Sequence, residues 1–159
     1  MKIALFGNPN TGKSSVFNLL TGLRQQIGNF AGVTVEKREG FLTLGDITYS
    51  IIDFPGAYSL YPRAKDEKIV YDLLTNNNQE LYPDAALFIV DAANLESNLL
   101  FFTQLYDLNI PLILVLNMWD LTAKRGIEIN IEKSIMYPFG YGDAWQMFLG
   151  ICHASLIEV

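Results

Sequence analysis

With 159 residues, 50% of them hydrophobic and 18% charged, the chain has apolar material for one packed core, is too apolar for intrinsic disorder and is too short for a second large domain. Eleven basic against seventeen acidic residues leave a net charge of -6, which argues against a general electrostatic grip on nucleic acid or an anionic membrane face, so any phosphate binding must be local. One cysteine, Cys152, excludes an internal disulfide and points to a reducing compartment. The opening MKIALFGNPN does not read as a signal peptide, and no stretch reaches the ~18 apolar residues of a membrane-spanning helix, so neither membrane insertion nor a nucleic-acid partner is expected.

Short apolar runs alternate with helical patterns, the mark of a largely parallel sheet wrapped by helices. Lys2 to Phe6 reads as a buried strand ending at Gly7, and Lys13 to Gly22 as a helix with Val16, Phe17, Leu19 and Leu20 apolar. Phe41 to Leu44 and Ile47 to Phe54 flank Gly45 and Asp46 and predict an antiparallel hairpin. A helix over Ala64 to Leu74, a strand over Ala85 to Val90, a helix over Glu96 to Leu108 and a strand over Pro111 to Leu116 follow. Residues 23–35 and 55–63 are long, rich in Gly, Pro and Asn, and read as functional loops. Glu36-Lys37-Arg38-Glu39 reads as a solvated strand edge. Beyond Lys133 the pattern changes: Tyr137 to Gly142, Trp145, Phe148 and Cys152 keep neither a period of 2 nor of 3.6, which leaves an irregular helix or an altered, incomplete end. The expected division is 1–133 as one domain and 134–159 as an atypical segment.

Gly7-Asn8-Pro9-Asn10-Thr11-Gly12-Lys13-Ser14 matches G-x-x-x-x-G-K-[ST] after a strand and at the opening of a helix. Glycines let the backbone curl until successive N–H groups face one anion, and the helix start adds its positive dipole end. Lys13 can then reach the β- and γ-phosphates and Ser14 can ligate Mg²⁺, with Asn8, Asn10, Thr11, Gly12 and Ser15 completing the nucleotide contacts. Asp53-Phe54-Pro55-Gly56 closes the strand after the hairpin. There a carboxylate can hold a water of the Mg²⁺ shell, and Gly56 frees an N–H for the γ-phosphate. Thr34, the only hydroxyl residue between Leu23 and Val35, is the candidate to close the other side of the metal. Lys13, Thr34 and Gly56 are thus the candidate catalytic groups, and Ser14, Thr34 and Asp53 the candidate Mg²⁺ groups.

Asn117-Met118-Trp119-Asp120 ends the last clear strand. The two oxygens of Asp120 suit the paired N–H donors of guanine, which adenine lacks, and Asn117 can brace base and phosphate loop together, with Met118 beside them. The order of these motifs selects GTP and GDP as ligands and phosphoryl transfer to water as the chemistry.

GNPNTGKSSVFNLLTG, IGNFAGVTVEKREG, IIDFPGAYSL, FIVDAANLESNLLFFTQL and IPLILVLNMWD together resemble the cytosolic G domain of the FeoB ferrous iron transporter family, over residues 1 to about 133. The resemblance implies a Ras-like P-loop GTPase fold: three layers, a mostly parallel sheet with one antiparallel edge strand, and a last strand and helix that this sequence does not clearly complete. It implies slow GTP hydrolysis, a K⁺ ion at Asn10, a place at the cytosolic face of the bacterial inner membrane, and a helical spacer and membrane domain of the same polypeptide as partners. Phe30 stands where the family usually has tryptophan, and Ala57 stands where Ras-like proteins carry a water-orienting glutamine, which leaves backbone groups, Tyr58, the Thr34 loop or the K⁺ ion for that task. Where the family reads the guanine O6 with a short S-A or S-T loop, the sequence offers only His153-Ala154-Ser155. A nucleotide-binding remnant without hydrolysis and a ribosome- or tRNA-associated assembly GTPase are the alternatives, the latter expected to carry a basic module. His153 is the only histidine, so no histidine-rich metal site is expected, and the aromatic residues after 136 lack the basic neighbours of a nucleic-acid surface.

Overall fold

The computed structural model describes residues 1–30, 34–62, 65–75 and 81–129, and the backbone of a short strand at 149–151. Its elements are β1 (Lys2–Gly7), α1 (Lys13–Thr21), β2 (Gln25–Asn29), β3 (Glu36–Leu44), β4 (Ile47–Asp53), α2 (Lys65–Thr75), β5 (Ala85–Asp91), a 3₁₀ turn at Ala92–Asn94, α3 (Leu95–Tyr106), β6 (Leu112–Asn117), α4 (Trp119–Arg125) and β7 (Leu149–Ile151). The sheet order is β2-β3-β4-β1-β5-β6-β7. β1 pairs in parallel with β4 and β5, β5 with β6, and β6 with β7, whereas β3 runs antiparallel to both β2 and β4.

Alternation along the central strands explains the layers. Ala4, Phe6, Ile52, Phe54, Ala86, Phe88, Val90, Leu112, Leu114 and Leu116 point to one face, where Ile69, Val70, Leu73 and Leu74 of α2 and Phe101, Phe102 and Leu105 of α3 cover them. Leu5, Ile51 and Ile89 point to the other, under Val16 and Phe17 of α1. A strand buried on both faces reads as a continuous apolar run, as these do. The larger core contains an aromatic chain: Phe30 lies 5.2 Å from Phe54, Phe54 is stacked 5.2 Å from Phe6, and Phe6 meets Phe101 edge-on at 6.3 Å. Phe30, in the segment expected to be a loop, is therefore a core residue at 4% exposure.

Three expectations are corrected. The segment 23–35 is not all loop, since β2 occupies Gln25–Asn29 and adds a strand outside β3. β3 begins at Glu36 rather than Phe41, so Glu36–Glu39 all pair with β2, and Arg38 and Glu39 pair with β4 as well, in a strand that is not the sheet's edge. The antiparallel strand expected at the sheet margin is thus one place in, with β2 as the margin. A last strand is present: Leu114, Val115 and Leu116 register with Leu149, Gly150 and Ile151. Ala64, Tyr137, Phe139, Tyr141, Trp145, Phe148, Cys152, His153, Ala154 and Ser155 lie outside the residues whose side chains are described.

Within β3, charge is balanced across the strand. Glu39 accepts a 2.6 Å hydrogen bond from Ser50 Oγ and pairs with Lys37 Nζ at 2.9 Å. The Ser50 hydrogen bond, then Lys37, hold its carboxyl below the ordinary range against the opposing effect of burial. A depressed carboxylate stabilises the fold above its unfolded pKa and loses that contribution as pH falls through the folded value. Glu39→Gln should therefore lower stability at pH 7 by less than about 1 kcal/mol, since the half-buried pair still lies within reach of solvent, which screens it. As pH falls through the folded-state value, its urea midpoint should converge with that of the unsubstituted chain.

Candidate nucleotide-binding site

At the carboxyl ends of β1, β4 and β6 three loops converge, the position at which open α/β sheets bind ligands. β1 stops at Gly7, α1 starts at Lys13, and residues 8–12 form the connection. Gly12 caps α1 with φ 80°, a left-handed backbone that a larger residue resists, and a Cβ there would run into the Asn117 amide. That amide is placed for a reason: Asn117 Nδ2 donates to the Thr11 carbonyl at 2.8 Å, tying the end of β6 to the loop. Thr11 Oγ1 in turn donates to the Asn8 carbonyl at 2.9 Å. The loop-bracing half of the role expected for Asn117 is thus present.

Lys13 forms an ion pair and hydrogen bond with Asp53 Oδ1, with side-chain exposures of 12% and 8%. This pairing joins the first helical residue of α1 to the last residue of β4. Both groups belong to the set expected to meet phosphate and metal, and here each neutralises the other. Ser14 and Ser15, at the start of α1, are at least partly exposed, and no side chain caps this helix. The amino end of α1 therefore presents its free N–H groups and a hydroxyl, an arrangement that suits an anion.

Gly56 approaches the loop closely: an added Cβ would lie 3.0 Å from the Pro9 nitrogen, so the D-x-x-G segment and the phosphate loop leave no room for a side chain between them. The next residue is pinned, with Ala57 N donating to the Gly7 carbonyl at 3.2 Å and its methyl group fully buried. Tyr58 is exposed. Asn10 adopts φ 64° at the exposed tip of the loop. Thr34 is exposed, and among the described residues no hydrogen bond links it to Ser14 or Asp53; its segment is held instead by Phe30 N, which donates to the Val35 carbonyl at 3.0 Å. Met118 has φ 57° and immediately precedes α4. Asp120, in the first turn of α4, is exposed and pairs with Lys124 at 3.2 Å.

Hard oxygen donors from Ser14 and Asp53 within reach of a helix amino end fit Mg²⁺, which favours carboxylate, hydroxyl, water and phosphate oxygen. The exposed amide of Asn10 supplies an oxygen of the kind K⁺ accepts. Sequence reasoning missed the side-chain role of Asn8. Its Nδ2 donates to the Ser97 carbonyl on α3 at 3.2 Å, across 89 residues of sequence, and no local pattern signals that contact.

Residues 1–137 match the family model described as ferrous iron transport protein B. The Fe(2+) transporter FeoB of Leptospira biflexa is 43% identical over 131 residues, covering 82% of this chain and 19% of that protein. That of Helicobacter pylori strain J99 is 46% identical over 131 residues, with 82% and 20% covered. This chain spans about a fifth of the length of these curated relatives. Among solved structures, a mutant of S. thermophilus NFeoB bound to mGDP superposes with a TM-score of 0.80 at 39% identity, covering 95% of this chain and 54% of that one. The G domain of the T. maritima FeoB iron transporter gives a TM-score of 0.74 at 32% identity, covering 95% and 84%.

Proposed function

This chain belongs to the ferrous iron transport protein B family, as its N-terminal G domain with a P-loop GTPase fold, and from that premise we propose that it binds GTP and GDP with Mg²⁺, hydrolyses GTP slowly with stimulation by K⁺, and regulates Fe²⁺ transport at the cytosolic face of a bacterial membrane. Among the described residues no helix is long and apolar enough to cross a membrane, so iron movement would belong to the helical spacer and membrane domain of a longer polypeptide. The observation that carries the reading is the convergence of Asp53, Gly56 and Asn117, far apart in sequence, on Lys13 and the loop of residues 8–12.

On this reading the Lys13 ammonium would leave Asp53 for the β- and γ-phosphates, and Ser14 and Asp53 would hold Mg²⁺. Mg²⁺, when bound, neutralises charge on the phosphate oxygens. The Gly56 N–H would meet the γ-phosphate, and the exposed Thr34 hydroxyl would add a donor to the metal when triphosphate is bound. Asn117 keeps the loop in register while Met118 and Asp120 meet the base. Because the Ala57 methyl is buried and carries no polar group, orienting the attacking water falls to backbone groups, Tyr58 or the Thr34 loop, and Asn10 would hold a K⁺ ion whose charge would offset that of the phosphates. Turnover without activation is then slow, on the order of 10⁻⁴ per second.

Single-turnover GTP cleavage by the full chain, compared in KCl and NaCl at equal ionic strength, tests this. Cleavage should be slow in NaCl and at least several-fold faster in KCl. Tight GDP binding with no cleavage in either salt would leave a non-hydrolysing binding domain and overturn the enzymatic half of the proposal.

A further inference from the structure

Among the described residues, the loop after β4 is fastened to the body of the protein through the amides of Phe54, Ala57 and Leu60, at every third position. Phe54 N donates to the Leu5 carbonyl and Ala57 N to the Gly7 carbonyl, each at 3.2 Å. Leu60 N donates at 2.8 Å to a side chain, Oε1 of Gln104, across 44 residues of sequence. The first two acceptors are backbone atoms of β1, present whatever residues stand there. The third exists only because residue 104 is a glutamine.

Gln104 lies in the last turn of α3 and is half-buried, while Phe101 one turn before it and Leu105 next to it are fully buried. An amide in such surroundings gives up water and side-chain freedom, which a made hydrogen bond offsets. Its orientation follows from its partner: a backbone N–H can only donate, so the amide oxygen faces Leu60. The Leu60 side chain also packs against the larger core, so this end of the loop is held by apolar contact as well as by the hydrogen bond. Between the second and third tethers stand only Tyr58 and Ser59, and just before the second stands Gly56, close against Pro9. Without the third tether, the Ala57 bond would be the last before a free segment, and such bonds open most readily.

We propose that Gln104 is a positioning residue for the triphosphate state: through Leu60 N it holds the loop so that the Gly56 N–H is already set where the γ-phosphate arrives. This rests on the nucleotide reading above and adds to it a residue of α3 that lies outside the nucleotide motifs. A loop fixed beforehand loses less freedom when its ligand binds. A diphosphate does not reach Gly56 on that reading, so Gln104 favours triphosphate over diphosphate without touching either.

Calorimetric titration of the full chain with the Mg²⁺ complexes of GDP and of guanosine 5′-(β,γ-imido)triphosphate reads this. Gln104→Leu, which keeps the bulk and removes the acceptor, should weaken the imidotriphosphate about three- to ten-fold and leave GDP within about two-fold. Gln104→Glu, which keeps an acceptor oxygen at the same reach, should restore the ratio of the two affinities. A merely structural role would weaken both nucleotides alike. That result, an unchanged ratio, or a Gln104→Glu chain that behaves as Gln104→Leu does would overturn the proposal. Should Gln104→Leu not fold, hydrogen exchange at the Leu60 amide of the unsubstituted chain takes its place: protection should be greater with the imidotriphosphate than with GDP, and equal or lower protection would overturn the proposal. An unsubstituted chain that binds GDP but not the imidotriphosphate removes only the role given to Gln104. One that binds neither overturns the proposed function itself, and that role with it.

Discussion

Replacing Lys13 with alanine is expected to have two separable effects. In the nucleotide-free chain it removes the cation paired with Asp53, whose side chain is only 8% exposed. An uncompensated carboxylate at that depth costs about 2–3 kcal/mol, less than the ~3–5 kcal/mol of fully buried broken pairs because the site opens toward solvent at the helix start. For a chain of this size that corresponds to a melting temperature lower by about 5–10 °C. The second effect is on ligand: losing charge-assisted contacts to the phosphates should weaken GDP by about 100-fold or more. A double variant, Lys13→Ala with Asp53→Ala, separates them, because it removes the orphaned charge and should recover most of the stability without recovering GDP binding. Thermal melts with and without GDP check both. A Lys13→Ala chain that GDP stabilises as much as it stabilises the unsubstituted protein would remove Lys13 from the phosphate site.

Asp120→Asn should change which base is bound. The carboxylate lies in the first turn of α4, exposed and restrained only by a 3.2 Å pair with Lys124. Such a pair, with both partners well exposed, contributes little and yields to a ligand. Guanine offers two adjacent N–H donors to those oxygens, each charged hydrogen bond contributing about 1.5–3 kcal/mol. An amide reverses one of the two partners, which matches the additional carbonyl of xanthine. GDP affinity should fall at least about 100-fold while xanthosine diphosphate gains, as read by competition for one site. Unchanged guanine preference would mean that Asp120 does not read the base.

The parts of the molecule legible in sequence were those in which contiguous residues carry their own reason. β1, the phosphate loop and α1 form one run, and each residue type there answers a local need for a buried strand, a curled backbone or a helix start. β4, β5 and β6 were legible because strands buried on both faces are continuously apolar. β2 was not, since Gln25-Gln26-Ile27-Gly28-Asn29 has neither alternation nor strand propensity and is a strand only because β3 lies beside it. The same pairing turned the charged Glu36–Glu39 run from an edge into an interior strand. Phe30 could not be read as core from its polar surroundings, because its partner Phe54 lies beyond the end of another strand. The brace from Asn117 to Thr11 was legible through its motif, but the contact of Asn8 with Ser97 had no motif to announce it.

Binding of a guanine nucleotide, its phosphates on the loop of residues 7–14 and its base at Asp120, is most directly tested by calorimetric titration of the full chain with Mg²⁺·GDP and, in parallel, Mg²⁺·ADP. One saturable site for GDP and no measurable heat for ADP is the expected result. No heat from either nucleotide, or equal heat from both, would contradict it.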